Sequence, residues 1–164
     1  AFNLQNFLID NQVLGAGDSP DEVNNKPFFY VEETNSKSGS VPSKHITKPI
    51  ILEQSAQGVK VFLDLNRPPS SNILLYYRLA NADDEIFDVD WILISPQNEP
   101  PANKFEAATY DILNLVYSEY AYLIGGVNGF SDQDFTSFQL KVVMNSTNSC
   151  EIPVLKSIRA IALI

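Results

Sequence analysis

The stretch from Phe138 to Ile164 constrains the fold most. Two runs in it place an apolar side chain at about every second position, and a polar turn at residues 145–149 separates them. A period of two is that of a β-strand, because successive side chains point to opposite faces of a sheet. The stretch therefore predicts two strands joined by a loop, a terminal hairpin. We expect its last strand, which ends on the apolar Ile164, to lie in the middle of a sheet and to close a β-sandwich.

Further segments upstream also have strand composition and are bounded by turns rich in Pro, Gly, Asn and Ser. They are residues 46–54, 59–66, 73–80, 91–95 and 116–124. Pro49 has no amide hydrogen to donate, which predicts an edge position or a strand start for the first of them. Residues 59–66 place Val59, Val61, Leu63 and Leu65 on one face and mostly polar residues on the other, so the first face is expected to be core.

Two segments depart from this pattern. Residues 104–115 place apolar side chains near a 3.6-residue spacing, which predicts one short helix. Residues 1–44 are interrupted by Gly, Pro and polar residues and predict an extended N-terminal arm, in which Glu32 to Ser43 has the composition of a linker. The prediction is mainly β: an antiparallel, jelly-roll-like β-sandwich of about seven or eight strands over residues 45–164, preceded by this arm.

Length and charge exclude several classes of function. With 164 residues the chain has room for one domain with a real core plus an arm. A net charge of −9 disfavours binding to nucleic acid and to anionic membrane surfaces, because both need clustered Lys and Arg. No apolar run approaches the ~20 residues that span a bilayer. The single cysteine, Cys150, cannot form an internal disulfide, which fits folding in a reducing cytoplasm.

No catalytic or metal-binding constellation stands out. His45 is the only histidine, no nucleophile elbow surrounds any serine, and one His with one Cys cannot supply a zinc site without carboxylates. The acids between Asp83 and Asp90 lack the calcium-loop spacing and predict a solvated loop. A hydrolase would need two carboxylates across a cleft, and the sequence identifies no such pair. We expect no catalytic residues, no cofactor and no metal.

Two aromatic sets are candidate contact surfaces. Tyr76, Tyr77, Trp91 and Tyr120 could form a sugar-stacking platform, as in carbohydrate-binding modules, although alternating aromatic residues also form cores and cross-strand pairs. Phe28, Phe29 and Tyr30 are clustered within a polar stretch, which is typical of an anchor. This anchor is expected to pin the arm either to its own domain or to a neighbouring subunit.

Two segments resemble a known family. Residues 43–79 begin with SKHITK and contain an NRP turn before a YYR strand, and residues 135–163 contain FQLKVVMNSTNS followed by IRAIAL. Both are similar to a β domain of virion structural proteins of T4-like marine phages, especially cyanophages. The arm and residues 81–130 carry little of this resemblance.

The resemblance implies a non-enzymatic building block of a phage tail, baseplate or fibre, made in the host cytoplasm and located in the virion. No catalytic residue carries over. The implied partners are other virion proteins and copies of the chain itself. We expect Phe28, Phe29 and Tyr30 to be hot spots of such contacts, and Ile164 to be buried by another subunit or domain. The alternative is a receptor- or carbohydrate-binding module at a fibre tip, with a host-surface glycan as its partner.

Overall fold

The computed structural model describes residues 33–39, 41, 43–106, 111–125, 133–148 and 150–164. Within them the regular structure is almost entirely β. The strands are β1 (Lys44–Ile46), β2 (Ile50–Ala56), β3 (Gly58–Asn66), β4 (Ser71–Ala80), β5 (Ile92–Ile94), β6 (Ser118–Ile124), β7 (Phe135–Ser146) and β8 (Val154–Leu163). Two single 3₁₀ turns, at Ile86–Asp88 and Ile112–Asn114, lie between strands.

The strands form two antiparallel sheets. The larger sheet has the order β1-β7-β4-β5, and β2 pairs with the same edge of β7 as β1 does. The smaller sheet has the order β6-β3-β8. The antiparallel β-sandwich predicted from the sequence is confirmed. The predicted N-terminal arm lies outside the described residues up to position 32.

Alternation along the central strands builds the core. Val59, Val61, Leu63 and Leu65 of β3 are all fully buried. They face buried residues of β7 and β4 in the other sheet, among them Leu140, Val142 and Leu75. The prediction that one face of residues 59–66 is core is therefore confirmed. Pro49 falls between β1 and β2, at an edge of the larger sheet, as predicted.

The terminal hairpin is the main correction to the sequence prediction. β7 lies inside the larger sheet, whereas β8 belongs to the smaller sheet, where β3 is its one strand partner among the described residues. The connection between them ends at Pro153 and is held to the turn after β3, where Glu151 accepts hydrogen bonds from the backbone and side chain of Ser70. A connection of this length can cross the ~10 Å between packed sheets, which a tight hairpin turn cannot. Among the strands that the structure describes, β8 is consequently at the edge of its sheet and not in the middle.

The predicted helix over residues 104–115 is also corrected. Its described part contains one 3₁₀ turn at Ile112–Asn114, and residues 107–110 lie outside the described residues. The Asp111 side chain accepts hydrogen bonds from the Leu113 amide and the Asn114 side chain, a local pattern that competes with helix continuation. Ile112 and Leu113 are exposed, so the apolar stripe does not cover the sandwich here.

Candidate interaction site

Among the described residues, the two sheets leave an apolar groove between them on one side of the sandwich. Its floor is the inward face of β8, and its roof is formed by β2 and β7. The apolar residues that line it are Leu155, Ile158, Ala160 and Ala162 on the floor and Ile50, Leu52, Phe138 and Leu140 on the roof. The volume is about 610 Å³, within the range of small-molecule and peptide-binding clefts. We call this feature the open groove.

The groove exists because the two strands that border it, β8 and β2, are incompletely paired with other described strands. β8 pairs with β3 from Gly58–Leu163 to Asn66–Val154, with one irregularity between Asp64 and Leu65, and has no described strand on its other side. β2 pairs with β7 at its two ends only, since its register shifts between Ile51 and Ala56. The break at Pro49 separates it from β1.

Apolar side chains of β8 therefore remain in contact with solvent. Ile158 lies directly opposite Leu63 of β3 and shares its inward face, yet Ile158 is only half-buried, whereas Leu63 is fully buried. Ala160, opposite the buried Val61, is exposed. On the outward face of the same strand, Ile161 is 54% exposed. β8 presents apolar residues on both faces along a free edge.

The open groove is also poor in negative charge. The chain has 20 acidic residues, but none of the described residues that line the groove is Asp or Glu. Lys156 is its one lysine or arginine, and His45 lies at its rim. The described lining of the groove therefore carries no negative charge, in contrast to the net charge of the chain.

The outward face of the larger sheet contrasts with the groove, because loops cover it. Residues 33–39 and 41, which we call the strap, lie against β7. Lys141 of β7 is 1% exposed, and its Nζ is 3.1 Å from Glu33 Oε2 of the strap. It also donates to the Glu33 backbone carbonyl. The strap, whose composition predicts a linker, is thus attached to β7 through Glu33.

Glu33 is held by several further contacts. The Val41 amide donates to Glu33 Oε1 at 2.8 Å, and Lys44 Nζ lies 3.6 Å from Oε2. A Cβ added at Gly39, where φ is +156°, would lie 2.7 Å from the same carboxylate. The strap therefore needs a residue without a side chain at position 39.

Trp91 completes the covered face. Arg78 Cζ lies 4.2 Å and Lys141 Nζ 4.7 Å from the centroid of its ring, so both cations contact it. The Trp91 amide donates to the Thr34 carbonyl at 2.6 Å, which ties this loop to the strap. Arg78 also donates two hydrogen bonds to Gln139 Oε1, at 2.8 and 2.6 Å.

Both members of the ion pair have a pKa below the usual value. Burial alone would raise the pKa of Glu33, but the Val41 amide and the neighbouring ammonium groups outweigh it and hold that pKa below its usual value. Burial lowers the pKa of Lys141, and Glu33 opposes only part of this effect because Lys44 and Arg78 add positive charge nearby. Glu33 is therefore ionised in the folded state at neutral pH.

Three of the four proposed glycan-stacking residues are buried. Tyr76, Trp91 and Tyr120 are at most 6% exposed, and Tyr77 is half-buried. Tyr76 and Trp91 contact Lys141 on the covered face, whereas Tyr120 belongs to the core and its hydroxyl accepts from Arg67 at 2.9 Å. The four rings are thus not together, and three present no exposed face to a sugar.

The predicted interface residues are divided between described and undescribed regions. Phe28, Phe29 and Tyr30 lie outside the described residues. Ile164 is described and is 78% exposed, next to the end of β8. Its predicted burial by another subunit or domain stays a prediction.

Titratable groups do not gather into a metal site in the described part of the chain. No three His, Cys, Asp or Glu side chains there are placed to hold an ion. Asp134 accepts hydrogen bonds from Ser55 and Gln57, and Cys150 is exposed. No helix among the described residues has the length and hydropathy needed to cross a membrane.

Sequence reasoning missed the open groove and the buried ion pair. A signal for the pair was present: Lys141 interrupts the apolar run of β7 at an outward position, beside Tyr76 on the neighbouring strand. A lysine flanked by aromatic residues is a candidate for burial beneath a cover that supplies an acid. The groove had no comparable signal, because the sequence of β8, its floor, has the same apolar alternation as a strand buried in a core.

Comparisons with known proteins give few matches. No protein-family model matches the chain, and no curated protein matches it. A solved structure described as "Structure of infectious bursal disease virus Gt strain" aligns with a TM-score of 0.36 and 10% identity over 77% of this chain. A second, of the Gx strain of the same virus, aligns with a TM-score of 0.31 and 8% identity over 75%. This chain spans about a third of either chain, 33% and 32%. At these TM-scores neither similarity indicates a function.

Proposed function

We propose that this chain is a non-enzymatic virion structural protein, an assembly domain of a phage tail, baseplate or fibre. Its partners are other virion proteins and copies of itself, and its place is the virion. The resemblance of residues 43–79 and 135–163 to virion proteins of T4-like marine phages supports a place in the tail, baseplate or fibre.

The open groove is the observation that carries the proposal. An apolar cleft of about 610 Å³ lies beside β8, whose outer edge has no partner strand in the described part of the chain. Such a cleft exposes surface that an isolated domain would ordinarily bury. Such an edge accepts an added strand, since backbone hydrogen bonds supply affinity and the alternating apolar side chains supply fit. The domain therefore acts by burial of surface between subunits.

The composition of the virion tests this function. If the proposal holds, mass spectrometry of purified particles of the phage that encodes the chain detects its peptides at a fixed stoichiometry after stringent washing. Peptides from an abundant host cytosolic protein serve as the control for contamination. Detection in infected-cell lysate together with absence from washed particles would contradict a structural role.

The arm makes a second contact in this proposal, through Phe28, Phe29 and Tyr30. Replacing the three residues with Ser in the full chain should reduce incorporation into particles by at least about tenfold, because aromatic anchors dominate interface energies. The matched control is Leu113→Ser, which removes an apolar side chain that is 88% exposed.

Substitution is preferable to deletion of residues 1–44. That deletion would also remove Glu33 and leave Lys141 buried without its carboxylate, so a failure to assemble could reflect unfolding. Normal incorporation of the triple variant would show that the aromatic cluster is not an assembly contact.

A further inference from the structure

We propose that two copies of this chain associate by antiparallel pairing of their β8 strands about a two-fold axis at Ala160. Each copy then closes the open groove of the other. The inference rests on the proposed function and names one interface through which the domain meets a copy of itself.

The free edge of β8 is suited to pairing. Its outer backbone groups have no strand partner among the described residues, and residues 157–163 contain no proline. Protected edges usually carry a proline, a bulge or an inward-pointing charge. The irregularity of β8 lies before this segment, and its one cation, Arg159, is engaged on the outward face by Glu119. The segment 157–163 therefore carries no proline, no bulge and no inward-pointing charge.

Pairing through β8 also removes apolar surface from water on the inward side. Ile158 and Ala162 are half-buried and Ala160 is exposed, although all three face the sandwich interior. A second copy would extend the three-stranded sheet into six strands and bring its own inward residues beside these. The two roofs, which carry Ile50 and Leu52, would then meet above a shared apolar floor.

Charge indicates a second copy as the occupant. Two chains of net charge −9 repel each other over most of their surfaces. The described lining of the open groove contains no acid, so the copies can meet there without opposing carboxylates. A two-fold interface uses the same patch twice, and β8 satisfies that requirement with small and apolar residues.

Side-chain direction restricts the register of the pair. Inward residues face inward residues only if the two-fold axis passes through a residue, because the strand period is two. An axis at Arg159 would set two guanidinium groups opposite each other. An axis at Ile158 would place Lys156, which lies at the irregularity of β8, opposite Ala160 of the second copy. An axis at Ala160 places Ile158 against Ala162 of the second copy and keeps Lys156 outside the paired segment.

Charge substitution at Ala160 tests the pairing in the full chain. In sedimentation equilibrium the wild type should show a monomer–dimer equilibrium, and Ala160→Lys or Ala160→Glu alone should weaken dimerisation at least ~30-fold, because like charges face each other at the axis. An equimolar mixture of the two variants should recover dimers. The matched control, Ile92→Lys, alters a half-exposed Ile on the edge strand β5 and should dimerise like the wild type.

A disulfide provides a readout that does not depend on charge. Directly opposed residues of antiparallel strands have Cα atoms ~4.5–5.5 Å apart, which a disulfide can bridge. In a Cys150→Ser background, Ala160→Cys should form covalent dimers under mild oxidation, whereas Ile92→Cys should not. Circular dichroism of each variant verifies that it is folded.

The outcomes separate this inference from the proposed function. A wild type that is monomeric up to about 1 mM, or one whose self-association is unchanged by both charge variants, overturns β8 pairing and leaves the virion assignment to its own test. Dimers that form without recovery in the mixture and without the Ala160→Cys cross-link overturn the axis at Ala160. Dimers formed instead with an acidic strand of another virion protein, and never with a second copy, also overturn the inference.

Discussion

The covered face is the outward side of the larger sheet, whereas the open groove lies on its other side, between β2 and β7 of that sheet and β8 of the smaller sheet. The covered face buries charged side chains, whereas the groove leaves apolar side chains in contact with solvent. The covered face carries Lys141, Arg78 and Gln139, all of them buried beneath the strap and the Trp91 loop. The groove carries Leu, Ile and Ala, several of them open to solvent. The alternation of side chains along a strand determines which face of the sheet a residue is on. Whether that face is buried depends on segments distant in sequence, such as the strap, that pack over it.

The two regions also differ in how substitutions within them affect the stability of the domain. Charged groups on the covered face are stabilised by named partners, so removing one partner leaves another buried and unsatisfied. Side chains of the groove floor are packed on one side only within the described structure, so truncating them should cost the isolated domain little stability. The predictions below test this difference, from the largest expected effect to the smallest.

The largest effect is expected from Lys141→Met. It leaves the Glu33 carboxylate buried without its main cation, and we expect a loss of about 3–5 kcal/mol in the free energy of unfolding. The double variant Glu33→Leu/Lys141→Met should recover most of that loss, because neither buried charge remains. Urea denaturation measures both. Equal stabilities of the single and double variants would show that the two side chains are not coupled.

A pair of cross-strand neighbours compares the closed core with the groove directly. Leu63→Ala should cost about 2–5 kcal/mol, because Leu63 is fully buried. Ile158→Ala, directly opposite it, should cost only about 1 kcal/mol in dilute protein, because Ile158 is already half in water. Chemical denaturation of both variants at low concentration measures the difference. Similar losses would indicate that the groove is closed in the isolated chain.

The smallest effect is a pH dependence from Glu33. Its pKa in the folded state is lower than the ~4.3 of an unfolded glutamate, so its ionised form contributes stability above that value. This contribution is lost as the pH falls through the folded-state pKa. The stability difference between the wild type and Glu33→Gln should therefore be largest near neutral pH and shrink below about pH 4. A difference that stays constant from pH 7 to pH 3 would contradict a lowered pKa.

Strand positions and the identity of the core were predictable from the sequence. Alternation along residues 59–66 places the buried face of β3 correctly, and Pro49 marks a strand boundary at an edge. These features depend on nearest neighbours along the chain, which the sequence displays directly.

Strand partners and covers were not predictable. The polar turn between β7 and β8 suggested a hairpin, but whether a loop reverses the chain or crosses between sheets depends on its contacts with the Ser70 turn, which is distant in sequence. The burial of Lys141 depends on Glu33, 108 positions away. Likewise, the apolar spacing of residues 104–115 favoured a helix. In the described part, hydrogen bonds to the Asp111 side chain accompany a single 3₁₀ turn instead.

Hydrogen exchange at two protein concentrations tests the central claim most directly: that the strap side is closed within one chain while the β8 side is closed by another copy. Amides of residues 157–163 should become more protected as the concentration rises across the dimerisation range, whereas amides of the strap and of β5 should not change. Protection of residues 157–163 that is full in dilute monomer, or that never changes with concentration, would contradict the account.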